Sequence, residues 1–188
     1  MAEAANTMTV DNAEDDLADI RAGAAGNRLA QSALVTRHLP RVYALAARLV
    51  GNPATAEDIT QEVFLRAWKQ LPHWEPKARF STWLYRVTVN LCRDHFRKKR
   101  EVTMDLLPER EEPSLGPEER LSQSQTSRRL LTAIHELPER QRAALVLCAL
   151  EGHSNIEAAE IMEVSVEALE SLLSRARRKL RAHAFERS

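Results

Sequence analysis

The chain has 188 residues, enough for one or two small domains, and its 44% apolar and 29% charged residues are an ordinary globular balance. Five glycines and few β-branched runs predict an all-α fold, and no apolar run approaches the roughly 20 residues of a membrane span. The net charge is zero, so total charge indicates no nucleic-acid partner and only its distribution along the chain can.

The N-terminal segment is acidic and then becomes helical. Residues 1–20 carry six acidic side chains and no Lys or Arg, and we predict a disordered acidic tail over 1–15. From Asp16 an amphipathic pattern predicts a short helix to about residue 22 and, after a break, a long helix over 28–50. This start lacks the basic and apolar parts of a signal peptide, so we expect a cytoplasmic protein.

A second amphipathic helix is predicted over 53–71. Asn52 and Pro53 are the residue types of an N-cap and a first helical position. One side of this helix is apolar, and the other carries Asp58, Gln61, Glu62, Leu65, Trp68 and Lys69. Large apolar groups among carboxylates indicate a protein-binding surface. The alternative is that Trp68 simply packs against a neighbouring helix.

A Pro-punctuated loop over 71–79 leads into the most informative stretch, residues 80–100. An apolar stripe is formed by Phe80, Trp83, Leu84, Val87 and Leu91, and an adjoining stripe by Arg86, Asn90, Arg93 and Arg97. Basic groups attract phosphates, an Asn can bond a base edge, and rings can stack on an unpaired base. The alternative is an amphipathic helix with a solvated basic face.

Residues 101–120 differ sharply from what precedes them. They hold seven acids, two arginines and three prolines, with no apolar period, and we predict a flexible acidic linker over 101–116. Helices are predicted to resume at about Pro117 and to run over 117–135 and 138–150.

The C-terminal part predicts a helix-turn-helix. A short helix over 155–162, a turn at 163–165 and a longer helix over 166–184 have that motif's order, and Ser165 suits the N-cap of the second helix. Five basic residues lie in 175–181. The outward face of the second helix carries Glu167, Ser171, Ser174, Arg175 and Arg178. A plain helical hairpin with a basic tail is the alternative.

Nothing in the sequence indicates an enzyme, a metal site or a cofactor. Glycine-rich phosphate loops are absent, and the six histidines are scattered rather than spaced as metal ligands. Cys92 and Cys148 each lie in an apolar helical pattern, which predicts reduced cysteines in the core.

Four motifs in order resemble the extracytoplasmic-function (ECF) sigma factors of the bacterial sigma-70 family: DITQEVFLRAW, FSTWLYRVTVNLCRDHFRKKR, LPERQRAALVLCALEG and LLSRARRKL. The resemblance covers about residues 16–183. It implies sigma region 2 over 16–100, the linker over 101–116, and sigma region 4 over 117–184. It also implies an alternative sigma factor that binds core RNA polymerase, melts and reads the −10 element, and starts transcription of stress-response genes.

The resemblance assigns roles to the faces described above. The face with Asp58, Gln61, Glu62, Leu65 and Trp68 would grip the coiled coil of the polymerase β′ subunit. The −10 contacts would come from Trp83, Arg86, Asn90, Arg93, Arg97 and Lys98. Asn90 matches the family's reader of a flipped-out base, and loop 74–80 would help form the base pocket.

The −35 reader departs from the family pattern. Many members read SVGTVKSRLxRAR where this chain reads SVEALESLLSRAR, so Glu167, Ala168, Glu170 and Leu172 replace residues of the usual contacts. The −35 contacts are therefore expected from Ser171, Ser174, Arg175 and Arg178. The implied partners are core polymerase, including its β flap, promoter DNA and an anti-sigma factor, often membrane-bound, with no small-molecule substrate.

Two other readings remain open at this point. The chain could be a stand-alone helix-turn-helix regulator that uses residues 16–100 for dimerisation or ligand binding. It could also be a helical interaction protein without a DNA role, such as a decoy for an anti-sigma factor.

Overall fold

The computed structural model describes residues 16–105 and 125–185, and it is helical apart from short connections. Its helices are residues 16–24 (α1), Arg28–Val50 (α2), Pro53–Gln70 (α3), Phe80–Asp105 (α4), Gln125–His135 (α5), Glu139–Leu145 (α6), Asn155–Met162 (α7) and Val166–Phe185 (α8). A 3₁₀ turn follows α3 at Leu71–His73, and a π-helical turn continues α6 over Val146–Leu150. No strand occurs within the described ranges, which confirms the all-α prediction.

Local signals in the sequence set the helix ends. The Asn52 side chain accepts a hydrogen bond from the Thr55 amide at 3.0 Å, and Pro53 begins α3 as predicted. Gly51 ends α2 with a left-handed φ of 72°, a conformation that favours glycine. Pro40 lies within α2 without ending the helix.

The first helical unit, α1–α4, is built around α2, α3 and α4. Fully buried Leu34, Leu45, Val63 and Leu84 form its centre. A buried polar contact ties α1 to this bundle, because Asp16 accepts from Arg37 at 2.6 Å and lies 2.9 Å from Nε2 of His38. Buried carboxylates need such partners.

The second helical unit, α5–α8, contains the predicted helix-turn-helix. Ser154 and Glu157 form a reciprocal capping box at the start of α7. After α7 the chain turns at Glu163, which has a left-handed φ of 54°, and the Ser165 hydroxyl then accepts from the Ala168 amide at 3.2 Å. Fully buried Leu169 packs α8 into the unit.

The two units pack directly against each other, which the sequence did not predict. Arg142 of α6 is buried and donates to the carbonyl oxygen of Leu49, at the end of α2, at 2.6 Å. Its guanidinium carbon lies 4.9 Å from the centre of the Phe96 ring on α4. Arg48 pairs with Glu151, also across the interface.

Several boundaries and environments differ from the sequence expectation. Helix α4 continues to Asp105, beyond the predicted start of the linker, and the π-helical turn interrupts the helix predicted over 138–150. Cys92 is buried, whereas Cys148 is only half-buried. The predicted tail over 1–15, the linker beyond Asp105 and the predicted helix start at 117 lie outside the described residues.

Candidate nucleic-acid interface

The face of α3 opposite its core presents the residues that the sequence grouped together. Asp58, Gln61 and Leu65 are exposed, and the Leu65 side chain is 54% accessible. Glu62 accepts from Arg66 at 2.7 Å, and this hydrogen bond lowers the pKa of the Glu62 carboxyl. Trp68 is half-buried against Phe64, with 6.0 Å between ring centres. The face is thus an exposed leucine flanked by charged groups and a half-buried indole.

Three aromatic rings cluster where loop 74–80 meets α4. The Trp74 ring lies 5.2 Å from Phe80 and 6.0 Å from Trp83, both edge-on, while Phe80 and Trp83 are stacked at 6.2 Å. Phe80 is buried and also packs edge-on against His38. Trp83 stays half-buried, so part of its surface faces outward.

A cavity of about 300 Å³ lies beside this aromatic cluster, between α1 and loop 74–80. Its walls include Ile20, Trp74, Pro76 and Phe80. Nε1 of Trp74 is buried and has no hydrogen-bond partner among the described residues. A buried donor of this kind is uncommon.

The C-terminal half of α4 presents exposed basic side chains. Arg93, Arg97 and Lys98 are exposed, and Arg97 makes one contact with Asp94 at 3.3 Å. Exposed guanidinium and ammonium groups in a row suit a phosphate backbone. These three residues lie where the sequence-based assignment requires them to be accessible.

Two other predicted −10 residues lie in the interface between the helical units. Arg86 is half-buried, and its Nη2 donates to the carbonyl oxygen of Glu160 on α7 at 3.3 Å. Its Nη1 lies 3.5 Å from the carboxylate of Glu163. Asn90 is half-buried in a narrow cleft that Arg142 and Met162 also line. The middle of α4 is therefore covered, while Arg93, Arg97 and Lys98 further along the helix stay exposed.

The outward face of α8 is open over residues 167–182. Ser171, Ser174, Arg175 and Arg178 are all exposed, while Leu173 on the opposite side is buried. Basic and small hydroxyl side chains along one exposed helix face are able to approach a major groove.

Of the α8 residues that depart from the family pattern, Glu167, Ala168 and Glu170 are exposed as well, whereas Leu172 is half-buried against the core. Oε1 of Glu170 accepts from the Asn155 side-chain amide at 3.3 Å. The pKa of Glu167 is lowered by hydrogen bonds from its own backbone and from Ser165, which favours the charged carboxylate. The start of this face is thus acidic.

Sequence reasoning missed the residues that cover α4. The sequence placed Glu160 in the helix predicted over 155–162 and Glu163 in the turn over 163–165, with no contact to α4. Tyr85 and His153 gave no signal of their edge-on contact at 5.1 Å. These contacts join residues far apart in the chain, so no local pattern could have indicated them. Within 16–105 and 125–185, no helix is long and apolar enough to cross a bilayer.

Both helical units match known families. Sigma-70 region 2 matches residues 34–102, and sigma-70 region 4 matches residues 127–180. The chain is 37% identical over 161 residues to the ECF RNA polymerase sigma factor SigE of Mycolicibacterium smegmatis, which covers 82% of this chain and 62% of that relative. It is 30% identical over 167 residues to the ECF sigma factor SigW of Bacillus subtilis, with 83% and 89% covered.

Solved structures share the arrangement. The sigma factor RpoE in complex with the anti-sigma factor NepR from Bartonella quintana superposes with a TM-score of 0.70 at 25% identity, over 81% of this chain and 95% of that one. CnrH in complex with the cytosolic domain of CnrY gives 0.68 at 31% identity, over 93% and 99%.

A region 2 unit followed by a region 4 unit with a helix-turn-helix defines a sigma-70-type transcription initiation factor, which is not an enzyme. The chain belongs to the ECF family of RNA polymerase sigma factors. The resemblance to ECF sigma factors that the sequence showed is confirmed. Membership of this family favours a sigma factor over a stand-alone helix-turn-helix regulator.

Proposed function

We propose that this sigma factor divides its work among three helices in the cytoplasm. The exposed face of α3 binds core polymerase, α4 with loop 74–80 opens and reads the −10 element, and α8 reads the −35 element. The first unit acts as region 2 and the second as region 4, joined by the acidic segment of the chain that follows α4. The observation that carries the proposal is that aromatic rings and exposed basic side chains share one helix, α4.

Core binding is assigned to the α3 face by its composition. Leu65 offers an exposed apolar anchor, and Asp58, Gln61 and Glu62 surround it with acceptors. Such a patch suits a partner helix that presents basic and apolar groups, as expected for the β′ coiled coil.

Reading of the −10 element requires single-stranded DNA. Bases in a separated strand expose edges and faces that a duplex hides, so Asn90 can bond an edge and Trp83 can stack. The cavity beside Trp74 is large enough for a flipped base, and the Trp74 and Phe80 rings supply apolar walls for it. Arg93, Arg97 and Lys98 then hold phosphates along the rest of α4.

Reading of the −35 element is assigned to the C-terminal part of the α8 face. Arg175 and Arg178 can donate to guanine or to phosphate, and Ser171 and Ser174 permit close approach. Glu170 is held by Asn155 and can accept only from an amino group such as cytosine N4. We therefore expect a −35 preference that differs from relatives with basic residues here.

Control by an anti-sigma factor is part of the proposal. Two similar structures are described as complexes of a sigma factor with NepR and of CnrH with a cytosolic domain of CnrY. Their likeness covers both helical units of this chain. We expect an anti-sigma partner to hold this chain away from promoters until a stress signal releases it.

The experiment is in vitro transcription with bacterial core polymerase on a fragmented genomic library from the host. We expect discrete start sites that share a −10 and −35 pair, none of which appears with core polymerase alone. Failure to bind core polymerase would instead favour the hypothesis of an anti-sigma decoy or of a stand-alone regulator.

A further inference from the structure

The second helical unit covers the part of α4 that the proposed function assigns to the −10 strand. Nη2 of Arg86 donates to the Glu160 carbonyl oxygen at 3.3 Å and lies 3.9 Å from the Glu160 carboxylate. Nη1 lies 3.5 Å from the Glu163 carboxylate. Both acidic groups come from the end of α7, so they occupy the space beside Arg86 that a DNA phosphate would need.

The ion pairs between the units share one polarity, and the buried Arg142 of the second unit reaches the first unit through a carbonyl oxygen instead. In each ion pair that crosses this interface within the described residues, the first unit supplies the arginine and the second unit the glutamate. The pairs are Arg48–Glu151, Arg86–Glu160, Arg86–Glu163 and Arg100–Glu139. The second unit thus presents carboxylates to the first as nucleic acid presents phosphates, and salt weakens both kinds of contact.

Glu163 has an unusual backbone for the residue that delivers this charge. Its φ of 54° is the one positive value of a non-glycine residue in the described ranges. Its amide donates to the carbonyl oxygens of Ala159 and Glu160, and this helix-ending turn usually holds Gly or Asn. A glutamate here adds a carboxylate on a tightly fixed turn, directed at Arg86.

Arg86 is held incompletely in this closed arrangement. Its Nε is buried without a partner, and its two carboxylate contacts are long, at 3.5 and 3.9 Å. An arginine offers five donors, and a phosphate can accept two of them side by side. A DNA phosphate that reaches Arg86 can therefore compete well with the two glutamate carboxylates.

We propose that Glu160 and Glu163 form a latch that keeps the second unit closed over Arg86 and Asn90 in the free protein. The two units must separate before these residues reach the −10 strand. The exposed face of α3, which we assign to core polymerase, stays accessible in the closed form, so core polymerase can bind first. This inference rests on the proposed function of α4.

Closure is tested by energy transfer between dyes on the two units. The full chain carries Ala54→Cys on α3 and Ala168→Cys on α8, both exposed positions, with Cys148→Ser to remove the half-buried thiol. We expect Glu160→Gln with Glu163→Gln to raise the open-to-closed ratio about two- to fivefold per carboxylate. The control, Glu57→Gln with Glu101→Gln, removes the same charge at exposed sites and should leave transfer unchanged.

A charge exchange separates a specific pair from a general charge effect. Arg86→Glu alone and Glu163→Arg alone should each lower the energy transfer. The double variant re-forms the pair with reversed signs and should recover most of it. If the double variant is as open as the more open single variant, the latch is contradicted.

DNA access is tested with a fluorescein-labelled single strand that carries the −10 sequence recovered by transcription. The apparent dissociation constant should fall in the Gln variant by the factor by which the open fraction rises. Unchanged transfer in the Gln variant, or an opened chain without tighter strand binding, would overturn the latch while holoenzyme transcription stays intact. Loss of transcription from the unmodified holoenzyme would instead contradict the proposed function.

Discussion

Arg142 reaches across the two helical units to the carbonyl oxygen of Leu49, 93 residues earlier in the chain, at a distance of 2.6 Å. It also donates to the carbonyl oxygens of His135 and Leu137 within its own unit. One buried guanidinium therefore closes the turn between α5 and α6 and caps the C-terminal end of α2.

Replacing Arg142 should destabilise the chain strongly. Arg142→Ala leaves three carbonyl oxygens without this donor, and we expect a loss of about 2–4 kcal/mol in the free energy of unfolding. Urea denaturation followed by circular dichroism measures it. The neighbouring exposed Arg140→Ala is the control, and equal midpoints for the two variants would refute this role.

Gly51 should tolerate no side chain. A Cβ there would lie 2.7 Å from the His135 ring, whereas a Cβ on Gly26, which also has a positive φ, meets nothing within 4 Å. Both alanine variants carry the cost of a left-handed backbone, about 1–2 kcal/mol, and only Gly51→Ala adds a clash. Thermal unfolding should show the larger loss for Gly51→Ala. A loss no greater than that of Gly26→Ala would mean that the units do not contact at this point.

Acid should weaken the fold through His135. Burial, with the nearby Arg142 charge, lowers the pKa of the His135 imidazole to about 4 from its usual 6.5. Below pH 6.5 His135 binds a proton in the unfolded chain but stays neutral in the folded chain. The free energy of unfolding therefore falls until about pH 4 and then levels off.

The slope from this one group is at most about 1.4 kcal/mol per pH unit, and solvent screening reduces it. Urea titrations at several pH values measure this slope. Burial also lowers the pKa of His153, so His153 adds to the slope of the wild-type protein. His135→Gln should flatten the curve, whereas His73→Gln at an exposed position should not. Identical slopes for wild type and His135→Gln would contradict the assignment.

Leu65 should be needed for holoenzyme assembly. A carboxylate at the centre of the α3 face would lose its hydration against an apolar partner at a large cost in free energy. We therefore expect Leu65→Asp to weaken binding to core polymerase at least tenfold. Fluorescence anisotropy of labelled protein measures the affinity. Leu29→Asp is the matched control, because Leu29 is 82% exposed on a different helix. Normal assembly of Leu65→Asp would remove α3 from the interface.

Asn90 should read one base. Asn90→Ala removes a side chain able to bond a base edge, and we expect discrimination at one −10 position to drop by about 1–3 kcal/mol. Transcription from templates with each base at each −10 position gives the preference. An unchanged preference at every position would take Asn90 out of the site.

The helices and their faces could be predicted because their signals are local. Asn52 with Pro53 fixes the start of α3, and the apolar period of 166–180 identifies the buried side of α8. The packing of the units could not be predicted, because it depends on pairs such as Arg86 with Glu160, 74 positions apart. Buried Arg142 also gave no signal, since an arginine in an amphipathic helix reads as exposed.

The most direct measurement is transcription from one recovered promoter, compared with versions in which the −10 or the −35 element is replaced. The account predicts that wild-type holoenzyme loses transcription when either element is replaced. It also predicts that Arg175→Ala lowers transcription from the intact promoter to about the level that the wild-type protein gives with the −35 element replaced. Equal transcription from the intact and the −35-replaced promoter by the wild-type protein would contradict the assignment of α8 as a promoter reader.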